Sequence, residues 1–100
     1  MTKTKARKVN RNSEIYIYEL VSQNVKKYRM MRGLTQSQLA DLVPYSYSTI
    51  ISIEGNYRNN FSLAVIGSIA KALNIKMYLL FMDEDETKDF LEKQNKITNN

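Results

Sequence analysis

The stretch VPYSYSTIISIEG, Val43 to Gly55, decides how the chain is read. It opens on the single proline of the chain and carries two tyrosines before an isoleucine-rich run that ends in Glu54. Ser46 is of the type that caps helices, because its hydroxyl accepts a hydrogen bond from an amide the first turn leaves unpartnered. Tyr45 just before it and Ile50 at the fourth helical position have the spacing of a hydrophobic staple. Ile50 and Ile53 fall on one face, and Gly55 or Asn56 ends the segment. The spacing predicts a short helix entered from a turn over Val43–Tyr45.

Working back from that turn, TQSQ at Thr35–Gln38 has the form of a capping box, with Thr35 as the cap and Gln38 reaching back to it. Leu39, Ala40 and Val43 then face inward, and Pro44 ends the helix because proline disfavours helical geometry in the residue before it. Two short helices joined by about three residues make a helix-turn-helix. Further back, Ser13 is a cap and Glu14 a favourable first-turn acid. Ile17, Val21, Val25 and Tyr28 recur at helical spacing, and Gly33 is the stop. IYIY at residues 15–18 alternates locally as a strand does.

Working forward, YRNNF is a polar loop. Ser62 caps a fourth helix with Leu63, Ile66, Ile69, Ala70 and Leu73 inward and Asn74 as its stop. Residues 75–82 lack a cap and half-alternate, which predicts a short C-terminal β-strand; a fifth short helix is the alternative. The remaining DEDETKDFLEKQNKITNN is too polar to pack much and reads as a frayed helix or as disordered. The expected organisation is a flexible basic arm over residues 1–12, one domain over 13–82 and an acidic tail over 83–100.

The bulk properties narrow the chemistry. One hundred residues hold one small domain. With neither cysteine nor histidine, disulfides, thiolate metal sites and the commonest general base are excluded. No phosphate-binding glycine loop, catalytic carboxylate pair or nucleophile arrangement is visible, so the expectation is a protein without enzymatic activity, cofactor or metal. Asp83–Glu86 lacks the spacing and glycine of a calcium loop and reads as solvated charge. No apolar run nears the roughly 20 residues of a membrane span, and the basic N-terminus lacks a signal peptide's apolar segment, so a cytoplasmic location is expected. Net charge is +5: residues 1–32 hold nine bases and two acids, and residues 83–100 three bases and six acids. That asymmetry points to a polyanionic partner for the front of the chain.

Residues 20–75 resemble the Cro/repressor-type, or XRE, helix-turn-helix DNA-binding family. The resemblance is carried in order by VKKYRMMRGLTQSQLA from Val25, SYSTIISIEGN from Ser46 and LAVIGSIAKALNI from Leu63. It implies an all-α, lambda-repressor-like bundle of four to five helices whose third helix lies in the major groove of double-stranded DNA. It also implies a structural ion pair between Arg29 and Glu54. The chain departs from the family at Pro44, where a glycine usually stands and permits a left-handed backbone that proline cannot adopt. It departs again at Glu54-Gly55-Asn56, where acid-x-glycine is frequent.

On the third helix the face opposite Ile50 and Ile53 carries Tyr47, Ser48, Ile51 and Ser52, the candidate base-reading residues. Tyr47 and Ser48 offer hydrogen bonds and Ile51 offers contact to a thymine methyl. Without an arginine for guanine or an amide for adenine on this face, DNA shape is expected to carry much of the specificity. Phosphate contacts are expected from Thr35, Gln36 and Ser37 at the start of the second helix, from Arg58, Asn59 and Asn60 in the loop, and from Ser62. Lys3, Lys5, Arg7, Lys8 and Arg11 form an arm suited to following a groove; Lys26 and Lys27 read as a solvated helix face. Ile75, Met77, Leu79 and Phe81 belong to the most apolar run and are the candidate homodimer interface, with packing onto the chain's own core as the alternative. The expected function is a dimeric transcriptional repressor reading a pseudo-palindromic operator. The alternative is a DNA-binding antitoxin that neutralises a partner toxin and autoregulates its operon.

Overall fold

The computed structural model describes residues 16–55 and 61–98, with side chains to residue 95. Ser13 and Glu14, the whole basic arm, Arg58, Asn59 and Asn60 therefore lie outside the described residues. Five α-helices follow in order: α1 Tyr16–Met31, α2 Gln36–Asp41, α3 Tyr47–Glu54, α4 Leu63–Leu73 and α5 Glu84–Thr98, with a 3-10 turn Met77–Phe81 between the last two. The fold is all-α, a lambda-repressor-like bundle, with no strand among the described residues.

Each helix boundary has a local cause. α1 stops where Gly33 takes a φ of 70°. The Gly33 amide then bonds the Met30 carbonyl and the Leu34 amide the Arg29 carbonyl, closing the helix end in a Schellman motif. α4 closes the same way around Asn74, whose φ is 57°, with Ile75 N–H on the Ala70 carbonyl. Thr35 and Gln38 form a reciprocal capping box on α2, and Ser46 and Ser62 cap α3 and α4 by accepting from the amides of Thr49 and Val65. The buried faces meet in one core of Val21, Val25, Tyr28, Leu39, Ile50, Ile53, Ile66, Ile69, Ala70, Leu73 and Leu80.

α2 ends at Asp41 with Leu42 as its cap, and Val43 packs against the core as expected while its N–H bonds the Ala40 carbonyl in a tightened last turn before Pro44. One sequence expectation is corrected, the strand over residues 75–82. Residues 75–82 are not a β-strand. Lys76 and Met82 are extended, but the residues between them coil so that Leu80 enters the core completely. The carbonyls a strand would offer to a neighbour are taken by α1, since the Asn24 side-chain amide donates to Leu80 O and Met82 O, both at 2.8 Å.

The acidic stretch takes the helical one of its two expected forms, over fifteen residues. Asp83 and Glu86 make a capping box: the Asp83 amide donates to Glu86 Oε1 at 3.0 Å and the Glu86 amide to Asp83 Oδ1 at 2.8 Å. The three acids of the first turn suit the positive end of the helix dipole, and Lys93 pairs with Asp89 one turn back at 3.1 Å. Phe90 packs edge-on against Tyr78 with ring centroids 5.3 Å apart.

Candidate nucleic-acid interface

α2 and α3 form the helix-turn-helix, and the turn between them contains no left-handed residue: among the described residues positive φ occurs at Gly33 and Asn74 alone. Pro44 is thus accommodated by a turn that does without the glycine conformation. The angle between the helices is held instead by side chains that converge on Glu54. Its Oε2 accepts from Arg29 Nε at 2.7 Å, and its Oε1 accepts from Arg29 Nη2 at 2.9 Å and from Gln36 Nε2 at 3.2 Å. Arg29 Nη1 reaches the Leu34 carbonyl at 2.6 Å. One carboxylate therefore ties α1, the start of α2 and the end of α3 together. With the Glu54 side chain 2% and the Arg29 side chain 10% exposed, charge and hydrogen bonds are both satisfied out of water.

The outer face of α3 presents the residues singled out for base reading. Tyr47 is 51% exposed and Ser48 is exposed, while Ile51 and Ser52 are half-buried. Ser48 and Ser52 line a shallow groove with Thr49, Ile53, Phe61, Ser62 and Val65, so part of this face opens toward the N-terminus of α4. Ser62 Oγ is committed as a cap but keeps its own proton to donate. At α2 the capping box takes the amides of Thr35 and Gln38, leaving those of Gln36 and Ser37 among the first-turn donors. Gln36 itself is turned toward Glu54, a contact its sequence position did not suggest.

The apolar run of residues 75–82 is largely spent on its own core. Leu80 is buried, and Ile75, Met77, Leu79 and Phe81 are partly buried against the same cluster. Tyr78, of the same candidate run, is its exposed apolar member, at 46%. Two structural contacts escaped the sequence reading. Asn24, 5% exposed, binds the end of the 3-10 turn; its signal was a polar residue inside the apolar stripe of α1. Tyr28 meets α5 through Thr87, and burial pushes its phenol above the ordinary range while the Thr87 hydrogen bond opposes that shift.

The profile of the helix-turn-helix family matches residues 25–80. The chain belongs to the Cro/repressor-type, or XRE, helix-turn-helix family. It is 29% identical over 69 residues to the HTH-type transcriptional regulator SinR of Bacillus licheniformis and 28% identical to SinR of Bacillus subtilis strain 168. Each of these alignments covers 69% of this chain and 62% of the relative, so the chain spans less than two thirds of their length. It is 38% identical over 58 residues to the control protein C.SmaI of Serratia marcescens, covering 58% of this chain and 68% of that one. A solved structure, the hypothetical transcription factor NHTF from Neisseria, superposes with a TM-score of 0.69 at 23% identity, over 74% of this chain and 84% of its own. That likeness concerns the fold.

Proposed function

We propose that the chain is a sequence-specific, double-stranded DNA-binding transcriptional regulator that acts as a dimeric repressor and inserts α3 into the major groove. The observation that carries this reading is the exposed outer face of α3, with Tyr47 and Ser48 outward on a helix anchored through Glu54. The regulators and the control protein it resembles support the same class of function. Tyr47, Ser48, Ile51 and Ser52 read base edges and methyl groups. Thr35, Gln36, Ser37 and Ser62, with Arg58, Asn59, Asn60 and the basic arm, contact phosphates and give binding its salt dependence.

A second copy of the chain is the proposed partner, placing two recognition helices on half-sites about one helical turn apart. The surface favoured for this contact is narrower than the run of residues 75–82. It consists of Tyr78, whose ring meets Phe90, together with Leu91, the next residue of α5 and 51% exposed. The transcriptional regulators and the control protein among its relatives favour the regulator reading over the antitoxin alternative. No described helix is long and apolar enough to cross a membrane.

The test is selection of bound duplexes from a random-sequence pool. Enrichment of a palindromic consensus with half-sites about one turn apart is the expected result. No enrichment at low salt would overturn the reading.

A further inference from the structure

Gln36 stands at the first position of α2, half-buried, with its side-chain amide turned toward α3. Among the described residues its bond to Glu54 is the one side-chain hydrogen bond between the two helices of the motif. A primary amide has two N–H donors and one carbonyl acceptor. Its nitrogen must face the carboxylate, because the carbonyl oxygen in that place would meet like charge. One N–H is thereby committed inward, and the other keeps a defined direction. The carboxylate is itself immobilised by two bonds from the Arg29 guanidinium.

We infer that Glu54 is a positioning residue for DNA contact: it holds the Gln36 amide so that the second Nε2 proton is aimed at a backbone phosphate. This rests on the proposed DNA-binding function and assigns to the ion pair a task beyond holding helices together. An unrestrained glutamine side chain loses rotamer freedom when it binds. Here that freedom is already lost in the free protein, so the phosphate contact forms at lower entropic cost. The same carboxylate ends α3, so the placement of the recognition helix and the aim of the phosphate donor share one anchor.

A double-mutant cycle on DNA affinity separates positioning from folding. The probe is a duplex recovered from the random-sequence pool, and the proteins are the full chain, Gln36→Ala, Glu54→Gln and the double variant, each below its own melting transition. Gln36→Ala is expected to weaken binding about tenfold to a hundredfold, the worth of one hydrogen bond to a charged group. Any general misplacement of α3 by Glu54→Gln is common to both backgrounds and cancels. The cost of Glu54→Gln is therefore expected to be about fivefold smaller when Gln36 is already alanine.

Equal costs in the two backgrounds would overturn the inference while leaving DNA binding intact. A wild-type chain that retains no duplex would remove the DNA reading itself. If Glu54→Gln does not fold, the side-chain amide resonances of Gln36 in the wild-type chain answer instead. One proton slow to exchange in the free protein and the other shifting on DNA titration supports the inference. Both protons exchanging as fast as those of a solvated amide, with neither shifting on DNA titration, overturn it.

Discussion

The Asn24 side-chain amide donates to the Leu80 carbonyl at 2.8 Å although the two residues lie 56 positions apart in the chain. The same nitrogen also reaches the Met82 carbonyl at 2.8 Å. One buried amide of α1 thus closes the 3-10 turn and sets where the chain departs into α5. Asn24→Leu would leave two carbonyls without that donor. A loss of about 1–3 kcal/mol is expected from chemical denaturation, the cost of unsatisfied buried polar groups. Faster amide exchange in α5 than in α3 should accompany it, since the departure point of α5 is what loosens.

Glu54→Ala removes the shared acceptor of Arg29 and Gln36 and strands a guanidinium that is 10% exposed. A loss of about 3–5 kcal/mol is expected, as when one member of a buried ion pair is deleted. Thermal melting checks this; an unchanged midpoint would mean the pair is energetically idle.

Tyr28 predicts an alkaline limb. Burial raises its phenol above the ordinary value of 10.0, so the folded state holds its proton more tightly than the unfolded state. The stabilisation is complete below the unfolded pKa and is lost as pH rises through that value toward the raised folded one. Tyr28→Phe keeps the ring over which Lys27 Nζ sits at 4.7 Å but removes the titration. Stability of the variant should fall less steeply above about pH 10 than that of the wild-type chain.

Ser22 is 1% exposed and its hydroxyl makes no hydrogen bond among the described residues. Ser22→Ala removes an unpartnered polar atom and improves helix propensity, so a gain of up to about 1 kcal/mol is expected. A denaturation midpoint that falls would show that the hydroxyl has a partner after all.

Most of the helix-turn-helix was legible because its signals are local. Thr35 with Gln38, Ser46, Ser62, Gly33 and Asn74 each act on amides or carbonyls within a few residues, and all stand at the boundaries their chemistry implies. The strand over residues 75–82 was misread because its alternation is a local cue, whereas the Asn24 donor that claims those carbonyls comes from α1. α5 was legible in part: Asp83 and Glu86 have capping-box spacing, but read as plain charge they hid it. In the candidate interface, the outward face of α3 followed from helical period. The inward turn of Gln36 did not, because it depends on where α3 ends in space.

The most direct test compares wild-type and Tyr47→Ala chains on a recovered DNA sequence and on a scrambled duplex of equal length. If α3 reads the major groove, Tyr47→Ala should cost about 1–3 kcal/mol on the recovered sequence and leave the scrambled duplex nearly unaffected. Equal losses on both duplexes, or none on either, would contradict the placement of α3 as the recognition helix.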